Sequence, residues 1–115
     1  GRVKYIIAII QPDRLDEVMA ALEEEEIYLL TVSDVMGRGR QKGIAEVYRS
    51  HVERGGLLHK LKVEVGVSNN NVWQVVDAIT RGAYTGNIGD GKIFVLEMDE
   101  CIRIRTGETG VSALA

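Results

Sequence analysis

The run Thr85-Gly86-Asn87-Ile88-Gly89-Asp90-Gly91-Lys92-Ile93-Phe94 sets three glycines and one lysine directly ahead of an apolar stretch. Glycines let backbone N–H groups converge on an anion with no Cβ in the way, and a lysine adds a point charge where the loop ends. The chemistry this suits is phosphate binding. From Gly86 to Lys92 the spacing satisfies the G-x-x-x-x-G-K part of a P-loop, but Ile93 stands where the magnesium-holding Ser or Thr belongs. The loop also follows a helical pattern and opens a strand, the reverse of the strand-to-helix setting a P-loop uses. A nucleotide hydrolase of the ordinary kind is therefore not indicated, and a plain glycine-rich connection with an exposed lysine stands as the alternative.

A second cluster, Gly37-Arg38-Gly39-Arg40-Gln41-Lys42-Gly43, alternates glycines with cations. Nucleic acid, a solvated basic turn and a phosphorylated small molecule all fit it. The chain's net charge of −3 argues against nucleic acid. So does Phe94, the single phenylalanine, which falls in a run expected to be buried rather than on a base-stacking surface. Arg103 and Arg105 lie two apart and would share one side of a strand, where guanidinium forks suit phosphate oxygens. Cys101, His51 and His59 have no metal-ligand spacing, and Ser50 has no recognisable base, so nucleophilic catalysis has no support.

These residues need a scaffold of about 115 residues, which predicts one domain over 1–115. One cysteine permits no internal disulfide, and no long apolar run is present, so a cytoplasmic protein is expected. Residues 3–10 form a β-branched apolar run closed by Pro12, with both parities apolar. Asp13 offers an N-cap to a helix with Leu15, Val18, Met19 and Leu22 on one side, ending in the solvated carboxylates of 23–26. A second strand is expected over 27–35. Residues 37–58 show no period and read as a long functional loop. Leu61, Val63 and Val65 alternate with Lys60, Lys62 and Glu64, a strand with one wet face. Asn69 to Asn71 would cap a second helix bearing Val72, Val75, Val76 and Ile79, closed by Arg81 and Gly82, with Trp73 off the stripe. Residues 92–98 are a strand apolar on both parities, and 102–105 a short alternating strand. The order β-α-β-β-α-β is the α+β ferredoxin-like pattern, a four-stranded antiparallel sheet with two helices on one face. The other face then holds an apolar patch that calls for a homo-oligomer.

The basic cluster, the 85–94 loop and Ile102-Arg103-Ile104-Arg105-Thr106-Gly107-Glu108, in this order and spacing, resemble the P-II nitrogen regulatory protein family. The resemblance implies a cytoplasmic homotrimer that binds ATP or ADP in clefts between subunits and acts as a sensor rather than an enzyme. By matching position, Gly37, Arg38, Gln41, Gly89, Asp90, Gly91 and Lys92 would hold the nucleotide from one subunit, and Arg103 and Arg105 would reach its phosphates from the neighbour. Ile9, Thr31, Glu64 and Phe94 match positions around base and ribose. The family also takes 2-oxoglutarate beside the phosphates, which here implicates Gly39, Gln41, Lys42, Gly43, Lys60 and Gly89. Gln41 would share a magnesium ion with ATP and the oxo acid, and Lys60 would pair with the distal carboxylate. Physics agrees: a triphosphate beside a dicarboxylate needs a bridging dication and flanking cations. Segments 37–58, 85–92 and 101–108 are thus the partner loop, the nucleotide loop and the C-terminal nucleotide contact.

The sequence departs from the family at the loop tip. Where members carry a uridylylated tyrosine, this chain has Glu53, so that modification is not expected; Tyr48 and Arg49 do match partner-contact positions. Gln11 replaces a basic residue often found before Pro12, and Arg54 to His59 lacks the usual acidic and proline residues. The target is expected to be an ammonium transporter, a nitrogenase-related protein or another metabolic protein, with a membrane reached only through a transporter and no nucleic acid. The alternatives are a sensor of nucleotide and a different anion with a target outside nitrogen metabolism, a weak ATPase, and an RNA-binding domain.

Overall fold

The computed structural model describes residues 2–39 and 56–115. Its elements run β1 (Val3–Ile10), a 3₁₀ turn (Pro12–Arg14), α1 (Leu15–Glu24), β2 (Thr31–Gly37) and β3 (Leu58–Ser68). A second 3₁₀ turn (Asn69–Asn71), α2 (Val72–Ala83), β4 (Gly91–Met98) and a third 3₁₀ turn (Gly110–Leu114) follow. The four strands pair antiparallel in the order β2-β3-β1-β4, the ferredoxin-like arrangement expected from the element order.

Register decides which side chains meet. Ile6 opposes Val65 and Val95, and Ala8 opposes Val63 and Ile93, so these share the face under the helices. Val18, Ala21 and Leu22 of α1 and Val75, Ala78 and Ile79 of α2 close over them as one core. Each fully buried Ile, Leu or Val contributes roughly 1.5–3 kcal/mol of burial. Gly82 is where the helices touch: a Cβ there would lie 2.5 Å from the Val18 Cα. The expected helix-closing role of Gly82 is therefore corrected. The helix continues through Ala83, and Gly82 is there because no larger residue fits between the helices.

Other boundaries also differ. Pro12 starts a 3₁₀ turn, so α1 begins at Leu15 and Asp13 makes no side-chain cap. Before the second helix, Ser68 rather than an asparagine caps, its Oγ accepting from the Asn70 N–H at 3.2 Å. α1 ends at Glu24, where the Ile27 N–H bonds the Leu22 carbonyl at 2.9 Å and Glu26 takes φ 63°. This C-cap spends the chain that the apolar pattern assigns to a strand start, and β2 opens only at Thr31. Glu25 is not merely solvated: Gln74 donates to it at 2.8 Å and Arg81 lies 3.7 Å away, tying α1 to α2. Segment 102–105 is no strand. A single bridge joins Ile102 to Thr109, a turn lies between, and Ile104 is 100% exposed.

The far face of the sheet carries Tyr5, Ile7 and Ile9 of β1 beside Leu96, Phe94 and Lys92 of β4. Both-sided burial was the expectation for these strands, yet in the single chain Phe94 is 49% exposed and Leu96 is exposed as well. Trp73, as expected, stands off the helical stripe and is 72% exposed.

Candidate functional site

A cleft of about 670 Å³ opens on the far face where β2 ends and β4 begins. Gly37, Arg38 and Gly39 come to it from the end of β2, Ile88, Gly89, Gly91 and Lys92 from the glycine loop, and Ile9 and Phe94 from neighbouring strands. Strand pairing causes this convergence, since Ile10 opposes Gly91 and Ile9 opposes Lys92. The turn into β4 passes so close to β1 that a Cβ on Gly91 would sit 1.8 Å from the Ile9 carbonyl oxygen, at φ +115°. Only glycine fits there.

Lys60 forms the floor. The wet-face pattern predicts an exposed ammonium, but Lys60 is only 8% exposed, on the far face of β3 between the end of β2 and the glycine loop. Its Nζ donates to the Gly89 carbonyl at 3.4 Å, the long end of hydrogen-bond range. Arg38 and Lys92 are exposed at the rim. Three cations thus converge on glycine-lined backbone, an arrangement that attracts anionic oxygens.

Asp90 does something other than face the cleft. Its carboxylate accepts from the Thr85 N–H at 2.8 Å, the Gly86 N–H at 2.9 Å and the Thr85 hydroxyl. The Thr85 hydroxyl bond, and then its backbone N–H, hold the Asp90 carboxyl below its ordinary value. Thr85, the first residue of the glycine run, is the loop's internal partner.

Thr31 and Glu64 line a second pocket further along the same face, about 340 Å³, with Tyr5, Gly66, Met98 and Leu114. The rung Ile7, Glu64, Phe94 lies between the two. From Ile9 to Tyr5 is four residues of strand, about 13 Å at ~3.3 Å each, so both pockets fall within reach of one elongated ligand. Tyr5 is a residue missed in the sequence; only the β1–β3 register brings it beside Glu64.

Arg103 and Arg105 reach neither pocket. Arg103 donates to Glu108 at 2.5 Å, to the Ser112 carbonyl at 2.9 Å and to the Ala115 carbonyl, while Arg105 is exposed on the turn. The expectation that they lie side by side on a strand is corrected with the strand itself. Gln41, Lys42, Gly43, Tyr48, Arg49 and Glu53 lie outside the described residues. Among the described residues no His, Cys, Asp and Glu group forms a metal cluster, and no helix is long and apolar enough to cross a membrane.

A family model described as nitrogen regulatory protein P-II matches residues 3–108. Nitrogen regulatory protein P-II 2 of Methanothermobacter thermautotrophicus is 50% identical over 112 residues, 97% of each chain. Nitrogen regulatory protein GlnK of Escherichia coli is 46% identical over 112 residues, covering 97% of this chain and all of that one. The crystal structure of Arabidopsis thaliana PII bound to citrate superposes with a TM-score of 0.82 at 37% identity, covering 99% of this chain and 91% of the other. Proteins of this family are non-catalytic, cytoplasmic regulators of trimeric assembly. They bind ATP or ADP, magnesium and 2-oxoglutarate, and act on ammonium transporters and enzymes of nitrogen metabolism through the long loop. By fold, by family match and by end-to-end identity, the chain belongs to the P-II nitrogen regulatory protein family.

Proposed function

We propose that the far-face cleft is where this chain reads nitrogen, carbon and energy status, with the nucleotide phosphates over the glycine loop and 2-oxoglutarate over Lys60. The observation that carries this reading is the convergence of Arg38, Lys60 and Lys92 on one glycine-lined cleft. Gly37, Arg38, Gly89, Gly91 and Lys92 would cradle phosphates, and Asp90 would act by holding the loop that presents them. Ile9 and Phe94 would give apolar contact, with Thr31 and Glu64 further along at the base and sugar. Lys60 would neutralise the distal carboxylate, a role that suits a buried cation better than a rim one because the surrounding protein screens it less. Gly39 would close on the oxo acid together with Gln41, Lys42 and Gly43, and Gln41 would supply the protein ligand to magnesium. Arg103 and Arg105 would serve the cleft of an adjoining subunit.

In this reading 37–58 is the partner loop, 85–92 the nucleotide loop and 101–108 the C-terminal contact, all within one domain. Ligand occupancy at the loop base sets loop shape, and loop shape selects the target. An ammonium transporter met through Tyr48 and Arg49, or a nitrogenase-related protein, is the proposed target, and Glu53 leaves no uridylylation site. Calorimetric titration with Mg-ATP, then of the ATP-loaded protein with 2-oxoglutarate, with and without magnesium, tests this. Oxo-acid binding that requires both ATP and magnesium is expected. Nucleotide binding with no response to the oxo acid would restrict the protein to energy sensing, and no nucleotide binding would refute the reading.

A further inference from the structure

The second pocket contains an arrangement that the expected ligand contacts do not account for. Tyr5 donates its hydroxyl to Glu64 Oε2 at 2.6 Å, and Lys62 Nζ lies 3.8 Å from Oε1 of the same carboxylate. The carboxylate is therefore held at one oxygen by a charge-assisted hydrogen bond, which swinging through its rotamers would break, with the Lys62 charge beside the other. Tyr5 reaches it diagonally, because its direct partner across β1 and β3 is Gly66, which has no side chain to intervene. Leu114 and Met98 fill the space over Gly66: a Cβ there would meet Leu114 at 3.0 Å and Met98 at 3.5 Å. The pocket thus has an apolar wall facing the hydrogen-bonded phenol and carboxylate oxygens.

We propose that Tyr5 is a positioning residue for ligand recognition, fixing Glu64 so that the phenol and carboxylate oxygens together receive a hydrogen-bond-donating edge of the bound nucleotide. A hydroxyl that donates to Glu64 can still accept from a ligand, and a carboxylate only accepts, so the pair presents acceptors alone. An edge bearing donors is favoured, and one bearing carbonyl oxygens is repelled. Two parts of an adenine nucleotide carry such donors, the exocyclic amino group and the sugar hydroxyls. The same bond, the largest cause, together with burial pushes the Tyr5 phenol up to about 12. A proton held that firmly keeps the hydroxyl a donor throughout the physiological range.

This inference rests on the nucleotide reading above, and the test separates the two. Affinities for ATP, inosine triphosphate and 2′-deoxy- and 3′-deoxy-ATP are measured by calorimetry on the full chain, on Tyr5→Phe, on Glu64→Gln and on the double variant. Wild type is expected to bind ATP best. Tyr5→Phe should lose roughly three- to tenfold in ATP affinity, the size of one hydrogen bond. It should also shrink the penalty for whichever analogue lacks the recognised donor: inosine triphosphate if the amino group is read, a deoxy compound if the sugar is. Adding Tyr5→Phe to Glu64→Gln should cost little more, since the two act as one unit. Unchanged ATP affinity in Tyr5→Phe, or a loss that leaves every analogue penalty intact, overturns the positioning role while nucleotide binding stands. If wild type itself binds no ATP, both fall together. Tyr5→Leu, which keeps apolar packing, must repeat the analogue pattern; a melting curve on each variant identifies any that fails to fold.

Discussion

At the scale of single residues, Lys60 and Asp90 show how a side chain's surroundings assign its task. Lys60 lies in the floor of the cleft and Lys92 at the rim. Lys60→Ala is therefore expected to weaken 2-oxoglutarate by roughly tenfold or more and ATP by less than about threefold, whereas Lys92→Ala weakens both. Calorimetry on the two variants checks this, and equal losses for both ligands in both variants would contradict the division. Asp90 makes a pH prediction. Because Thr85 holds its carboxyl below the ordinary value of 3.8, the unfolded chain binds the proton first as pH falls. The contribution to stability is then complete above the ordinary value and disappears as pH drops through the depressed one. Denaturant stability compared between wild type and Asp90→Asn should differ near neutrality and converge in acid. A constant difference down to pH 2 would show that the Thr85 bonds do not favour the charged form. The glycines and Lys92 that line the cleft were legible in the sequence because composition and spacing mark them, whereas the alternation of Arg103 and Arg105 suggested a strand that the turn at 104–106 replaces. Tyr5 and the burial of Lys60 were not legible, since each depends on a partner brought in from another part of the chain.

At the scale of elements, both helix ends that escaped the sequence pattern carry testable energetics. Glu26 adopts φ 63°, a conformation that costs a non-glycine residue about 1 kcal/mol or more. Glu26→Gly is expected to stabilise by roughly 0.5–1 kcal/mol, the relief exceeding the added freedom of the unfolded chain. A lower melting temperature would mean that the Glu26 side chain contributes something the hydrogen bonds do not reveal. Gly82→Ala should do the opposite, costing about 2 kcal/mol or more, because the new methyl meets backbone rather than a yielding side chain. Thermal unfolding reads both. The element order and sheet architecture followed from periodicity, whereas the boundaries shifted by several residues at β2 and β3 and by one at the start of α1. The reason is local: the C-cap of α1 takes up Ile27 and delays β2 past the apolar 27–30 stretch, and the Pro12–Arg14 3₁₀ turn delays α1 to Leu15. Segment 102–105 alternates like a strand but finds no edge to join, and Arg103 instead ties the turn to the following residues.

At the scale of the whole molecule, the sheet is asymmetric: one face closed by helices, the other open with Phe94 and Leu96 exposed. That imbalance was readable from the both-sided apolar pattern of β1 and β4, and burying this open face between subunits is expected to drive the trimeric assembly that the family shows. Leu96→Glu, a charge on the open face opposite Tyr5, is expected to convert the trimer to smaller species in analytical ultracentrifugation with little change in the circular dichroism of the subunit. A trimer as stable as wild type would locate the subunit contacts elsewhere.

Trp73, the single tryptophan, stands outward on α2 and lines neither pocket of the far face. Its emission is therefore that of a water-exposed indole and should stay nearly constant while effectors are titrated. A blue shift on mixing would instead signal that another molecule has covered the helical layer, so the native fluorophore reports docking on the outside and stays silent about occupancy within.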